Sequence, residues 1–387
     1  MLNLIFIVIF IISFLVVFQT YVLYPISIFL ISKSFKKNEL PGKSISASIV
    51  ISAYNEEKVI ENRIENIASL NYNFDQLEVL IGSDCSSDKT NEILLKSAEK
   101  YSWLQVHLFE ERRGKAAVLN DLIKLVSNEI IVFSDANTNF DKDALNKLMP
   151  YFDDKRIGGV CGRLVLTDNE IVDNQSVEEV KYWNYETFIK RAEGRCGILI
   201  GANGGIYAIR SNLVELLPIQ TPVTDDLYHS LNVLKKNYKF VYREDALAFE
   251  EVGKNVISEF NRKVRFAATN LQTLVYFSQL LFGRKILISY AFISHKVLRW
   301  FSPLFFVLLF VTSIFLSNSY LVANYLLIAQ IIFISLSLIG WFLNSIKVRI
   351  SIFSLPFFFV AANIAITIGV YKFFSNKHSY VWEKTER

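Results

Sequence analysis

What this chain has little of narrows the field before any motif is read. Cysteine is scarce: Cys85, Cys161 and Cys196 are odd in number, scattered and without C-x-x-C spacing. That pattern argues against a disulfide framework or a zinc site and fits buried thiols in a reducing compartment. The four histidines form no H-E-x-x-H. No G-x-G-x-x-G follows the first strand-like run, so a Rossmann dinucleotide site is excluded. "RRGKAAVLN" lacks the first glycine of a Walker loop. Net charge is +4, too modest to call for a nucleic-acid partner. Outside its apolar runs the chain carries neither internal repeats nor low-complexity tracts.

Charge itself is missing from whole segments. There is none from Met1 to Ser32. A bilayer core of roughly 30 Å needs about 20 apolar helical residues, so this stretch is long enough to span. It has no basic leader and its apolar part is too long for a signal peptide, which makes it an anchor. Apolar chain returns at "WFSPLFFVLLFVTSIFL" (300–316), "YLLIAQIIFISLSLIGWFL" (325–343) and "IFSLPFFFVAANIAITIGVYKFF" (352–374). The expected organisation is a span over 1–32 and a soluble domain over 39–254. Amphipathic or interfacial helices follow over 255–298, then three spans within 299–374 and a tail from 375 to 387. Lys33, Lys36 and Lys37 follow the first span, and Lys347 and Arg349 lie between the last two. The positive-inside tendency therefore places the soluble domain on the cytoplasmic side of a plasma membrane. The tail runs against it: four spans leave Lys377, Lys384 and Arg387 outside.

Between the apolar segments, strand-like and helical patterns alternate. "SASIVISAYNEE" opens with a strand ending near Tyr54, and helical spacing runs from Glu56 to Leu70. "LEVLIGSD", "LQVHLFE" and "EIIVFSD" read as strands; "SSDKTNEILLKSAEKY" and "GKAAVLNDLIKLV" read as helices. This βαβα order predicts an α/β domain, a parallel sheet with helices on both faces. Ligands on such sheets gather beyond the carboxyl ends of the strands. Asp84 and Asp135 fall there, with Asn55 and Glu56 after the first strand.

Several residues invite chemistry, each beside a plainer reading. In "FSDANT", Asp135 and Asn137 are two apart; in extended chain both would face one object, although a turn or helix cap uses the same residues. Two such ligands suit Mg2+ only if phosphates and water supply the rest. Lys115, opening its helix, adds charge for phosphate. In "TPVTDDLYHSL", Thr224, Asp225 and Asp226 are either a capped helix start or neighbouring carboxylates that raise one another's pKa, as a general base requires. His229 lies three residues on, where a solvated helix face is the expectation. "GANGGIYAIR" is a tight turn into a strand or a floor for a sugar, with Gly204 in it. Arg262 and Arg265 share one helix face, suited to a leaving diphosphate or to anionic lipid.

These segments, from "VISAYNEE" through "GSDCSSDKT", "RRGKAAVLN", "FSDANT", "GANGGIYAIR", "VTDDL" and "RKVRF" to "HKVLRW" and "VWEKTER", resemble the membrane-bound family 2 glycosyltransferases. That group contains cellulose, chitin, hyaluronan and poly-N-acetylglucosamine synthases. The resemblance implies a GT-A fold, a nucleotide-sugar donor (usually a UDP-sugar), Mg2+ or Mn2+, and inversion at the sugar carbon. It implies donor contacts at Ala53, Tyr54, Asn55, Glu56, Asp84, Lys115, Asp135, Ala136, Gly204, Arg262 and Arg265. Asp135 and Asn137 stand at the family's D-x-D metal motif, with an amide in its third position. Asp226 takes the place of the catalytic base, while the shorter Asp225 replaces the middle acid of T-E-D. Phe266 replaces the tryptophan of Q-x-x-R-W, keeping an aromatic wall for the acceptor without an indole N–H. The leading expectation is extension of a glycan. The alternatives are transfer of one sugar to a lipid-linked acceptor, or an inactive scaffold subunit.

Overall fold

The computed structural model describes residues 2–35, 45–167, 175–251, 256–346, 348 and 350–375. Lys36, Lys37, Lys347, Arg349 and the tail with Lys377, Lys384 and Arg387 lie outside the described residues. The strands are β1 (Ala47–Ala53), β2 (Leu77–Asp84), β3 (Leu104–Phe109), β4 (Ile130–Phe133), β5 (Asn139–Phe140), β6 (Ile157–Thr167), β7 (Tyr207–Arg210) and β8 (Lys239–Glu251). They form one sheet in the order β3-β2-β1-β4-β7-β6-β8-β5. From β3 to β4 the strands are parallel, as the alternation predicts. The other half departs from that expectation. There, β7 runs antiparallel between β4 and β6, and β5 runs antiparallel to β8, so the sheet is mixed.

The first strands are apolar on both faces because both faces are covered. Val50, Leu80, Ile131 and Phe133 point to one side. Ile49, Ile51, Val79, Ile81 and Val132 point to the other, following the two-residue period. On that second side the helix Ile60–Ala68 presents Ile60, Ile64 and Ile67 at helical spacing. It starts at Ile60 and not at Glu56. Asn55 sits at φ +54°, and the N–H groups of Glu56 and Glu57 are taken by Thr90 and Asp88 across a turn. On the first side the helix Lys115–Leu125 approaches β2 at Gly82, where a Cβ would come within 2.5 Å of Val118.

Among the described residues, four helical segments are long and apolar enough to cross a membrane: Asn3–Ser32, Ile286–Leu316, Leu321–Ser345 and Ser351–Phe374. The second begins well before the apolar run at 300. "HKVLRW" is carried within it because His295, Lys296 and Arg299 meet carboxylates of the helix Gln175–Cys196. Tyr24 and Ile28 of the first span and Ile288, Phe292 and Trp300 of the second share one apolar core with Phe133, Leu199, Tyr207 and Leu231 of the domain. Sheet and spans are therefore packed as a unit. The helix Val256–Tyr276 lies against the last span at Gly369, where a Cβ would meet Val264 O at 2.4 Å.

Candidate active site

β1 and β2 end on one rim, at Ala53 and Asp84, and the loops beyond them are stitched together. Asn55 N–H donates to Ser86 Oγ (3.0 Å), and Ser87 N–H donates to Asn55 Oδ1 (2.8 Å). Glu56 N–H donates to Thr90 Oγ1 at 2.8 Å. The Arg112 guanidinium lies 3.9 Å over the Tyr54 ring, making a flat wall beside these loops. Asp84 is buried, and its two oxygens accept from the backbone N–H groups of Arg113 and Gly114, each at 2.8 Å. Gly114 itself sits at φ +87° just ahead of the next helix. The carboxylate at the strand end thereby fixes where that helix begins.

That start aims Lys115 inward. Its ammonium lies 2.7 Å from Asp135 Oδ1 and 2.8 Å from Asp225 Oδ2. Burial opposes the charge, but the two carboxylates outweigh it and raise the lysine above its ordinary value. Asp225 is correspondingly lowered by Lys115 against the effect of its own burial.

Asp135 does not continue the strand. β4 ends at Phe133, and Thr138 N–H donates back to Asp135 O across a turn at Ala136–Asn137. Side chains 135 and 137 therefore do not share the direction that extended chain would give them. Asp135 turns to Lys115, and Asn137 Nδ2 donates to Glu250 Oε1 at 3.1 Å. The turn is braced from below. The buried Arg63 donates to Ser134 Oγ (3.0 Å), which donates to Gly205 O (2.9 Å), tying "FSDANT" to "GANGG".

A Cβ placed on Gly204 would lie 3.5 Å from Asp135 Oδ2 and 3.7 Å from Asp226 Oδ2. Both carboxylates thus face the same hollow, with glycine as its floor. Burial, then Asp225, push Asp226 up to about 6, against the pull of Lys190 and Lys115. Its Oδ1 accepts from Leu227 N–H at 2.6 Å. Thr224 is no side-chain cap: its hydroxyl pairs with Thr269 Oγ1 at 2.7 Å, and its N–H donates to Thr273 Oγ1 at 3.1 Å. Those contacts dock the helix Val256–Tyr276 on the start of the Asp225–Lys235 helix. Arg265 lies one turn before Thr269, whose hydroxyl also bonds Arg265 O. Arg262 pairs with Glu259 at 2.6 and 3.0 Å, and both arginines approach the Phe266 ring, at 5.6 and 5.5 Å. His229 is not solvated. It is buried against Phe133 and Tyr207, whose hydroxyl meets Nδ1 at 3.0 Å, and burial lowers it to about 4.

Among the described residues, no three His, Cys, Asp or Glu side chains stand together to hold a metal ion. Asp135 nevertheless fits one as a single carboxylate. Lys115 takes Oδ1, and Oδ2 faces the hollow, where a donor's phosphates and water would fill the remaining positions around Mg2+ or Mn2+. The bond to Glu250 commits the nitrogen of Asn137 and leaves its oxygen as the one side-chain atom able to ligate.

The geometry adds residues that the sequence reading passed over. Lys190, buried in the helix Gln175–Cys196, donates to Ala202 O (3.1 Å) and Asn203 Oδ1. Asn203 in turn donates from Nδ2 to Gly162 O at 2.7 Å and from its backbone to Cys161 Sγ at 3.1 Å. Asn203 lies inside "GANGG", a segment the sequence already marks; Lys190, on another element, and Arg63, in an ordinary amphipathic pattern, gave no signal.

Comparison with known proteins places this arrangement. Residues 48–216 match the model of Glycosyl transferase family 2. The poly-beta-1,6-N-acetyl-D-glucosamine synthases of Staphylococcus aureus and Staphylococcus epidermidis are each 26% identical over 232 residues, 59% of this chain. The chain spans about half the length (55%) of these relatives. A mannosyltransferase from Pyrobaculum calidifontis, solved with GDP-Man and Mn2+, shares the fold with a TM-score of 0.71. The likeness covers 98% of this chain and 100% of that one, at 18% identity.

Proposed function

We propose that this chain, whose residues 48–216 match the family 2 glycosyltransferase model on a GT-A fold, is a glycosyltransferase that inverts the anomeric carbon while moving a sugar from a nucleotide-sugar to a growing glycan. One observation carries the reading: Asp135 and Asp226 open onto the same hollow over Gly204.

On this reading the Tyr54–Arg112 wall and the stitched loops at Ala53, Asn55, Glu56 and Asp84 hold the nucleotide. Lys115, Arg262 and Arg265 hold its diphosphate. A divalent cation held at Asp135, with the Asn137 side-chain oxygen the other protein atom able to reach it, would supply further positive charge to the leaving group. Asp226 Oδ2 takes the proton of the acceptor hydroxyl. The hydroxyl oxygen bonds to the anomeric carbon from the face opposite the diphosphate, which departs with the electron pair of the broken C–O bond. A carboxylate held near 6 is ionised at neutral pH yet basic enough to receive that proton. Fixed charges around the departing phosphates contribute most of the acceleration. Phe266 and Asp225 line the acceptor side, and the catalytic domain faces the cytoplasm beneath a plasma membrane that the four apolar segments cross.

The staphylococcal relatives are named for a polymer of N-acetyl-D-glucosamine, which puts UDP-N-acetylglucosamine first among the donors to try, and the archaeal neighbour, solved with GDP-Man, adds GDP-mannose to the panel. The test is the full chain in lipid nanodiscs with UDP-sugars or GDP-mannose and Mg2+ or Mn2+, reading nucleoside diphosphate release and product mass. A ladder of products is expected, with Asp226→Asn abolishing transfer and keeping UDP affinity. A single lipid-linked sugar would replace the polymer reading, and transfer by Asp226→Asn near the parent rate would remove Asp226 from its role.

A further inference from the structure

A buried carboxylate ties the floor of the hollow to the membrane spans. Glu193, in the helix Gln175–Cys196, is fully buried. Its Oε1 accepts from Tyr24 Oη of the first span and lies 2.7 Å from His295 Nδ1 of the second. Its Oε2 accepts from Ile200 N–H at 3.0 Å, where the floor begins. From there the next residues each hold a buried partner through one backbone group. Gly201 N–H meets Ser230 Oγ (3.1 Å), Ala202 O meets Lys190 (3.1 Å), and Asn203 N–H meets Cys161 Sγ (3.1 Å).

A second observation comes from the spans. Each has a widened π turn at this level, Gln19–Leu23 just ahead of Tyr24 and Phe292–Val297 around His295. Such turns re-aim side chains and recur at functional sites. Gln19 Nε2 joins them, donating to Ser294 Oγ at 3.0 Å and Tyr290 Oη at 3.1 Å. The other ring nitrogen of His295 lies 2.9 Å from Glu186, which also holds Lys296 and Arg299.

We propose that Glu193 is a positioning residue for sugar transfer: it fixes the segment Ile200–Gly205 to the first two spans, so that the membrane helices set where Gly204 stands between Asp135 and Asp226. The catalytic carboxylates touch neither Glu193 nor the spans. The effect is transmitted through backbone placement alone. This rests on the proposed reaction only for its kinetic arm.

The test uses the full chain in nanodiscs, with Glu193→Gln, the milder Tyr24→Phe, and the pair. Hydrogen exchange of residues 198–206 is expected to quicken at least about tenfold in each single variant, the weight of one hydrogen bond to a charged group, while residues 47–84 keep their protection. In kinetics, kcat falls by about the same factor while donor KM and UDP affinity hold, and the double variant does no worse than Glu193→Gln alone. Unchanged exchange at 198–206 in both variants overturns the proposal. So does a rise that spreads equally through 47–84 with loss of UDP affinity, since that is general loosening. Exchange needs no substrate, so a parent chain inactive with every sugar nucleotide would sink the proposed function and leave this inference to be decided by exchange.

Discussion

Lys115 holds two carboxylates of the site at once, Asp135 at 2.7 Å and Asp225 at 2.8 Å. Lys115→Met would leave Asp135 and Asp225 repelling. We expect a loss of about 2 kcal/mol in stability, less than the ~3–5 of a fully enclosed pair because the site is partly open. Thermal unfolding in detergent checks it, and donor affinity should fall in parallel. Asp226 gives a pH signature of definite sign. A base pushed up to about 6 works only when ionised, so kcat/KM should rise with pH through about 6 and level off above it. A flat profile between pH 5 and 7.5 would contradict the assignment. Asp135, Lys115 and Asp226 were legible in sequence because small polar residues clustered where strands end and helices begin. Arg63 and Lys190 were not, since a charged residue on a helix is assigned to water, nor was Ser134, whose partners come from distant segments; only the folded arrangement shows that they sit beneath the site.

Elements divide in the same way. β1, β2 and β4 were readable because two-faced burial gives unbroken apolar runs, the edge strand β3 by its alternation, and the helices between them because parallel pairing demands them. "IYAIR" was readable as a strand, but alternation carries no sense of direction, so its antiparallel insertion between β4 and β6 was not. The Thr224–Thr269 contact was also hidden, because a threonine before acidic residues looks like a cap. The helix bearing Arg265 depends on a close approach at Gly369, where any side chain would strike Val264 O and Ala267. Gly369→Ala should cost about 1–3 kcal/mol by overpacking. It should also lower kcat, because the helix must shift and take Arg265 with it. A variant that keeps both its melting temperature and its turnover would show that this contact does not place the arginine.

At the scale of the molecule, sheet and spans share one core, and no clean border separates catalytic domain from anchor. Deleting residues 1–32 removes Tyr24 and Ile28 from that core while touching no donor contact. Burying each such side chain is worth about 1.5–3 kcal/mol, so the trimmed chain is expected to aggregate and lose transfer. Size-exclusion profiles and nucleotide release test this directly, and a monodisperse, active product would refute it. The place of β7 has a consequence for biosynthesis. It fills the middle of the sheet, yet its residues follow both flanking strands in sequence and come after the long helix that grips the first span. While the ribosome is still short of residue 210, β3-β2-β1-β4 can pair but its β4 edge is open, and β6 waits for both of its partners, β7 and β8. Closure must wait for a late, non-local pairing of the kind that folds slowly. By then the first span has emerged, so the bilayer is available to steady the intermediate before β7 and then β8 complete the sheet.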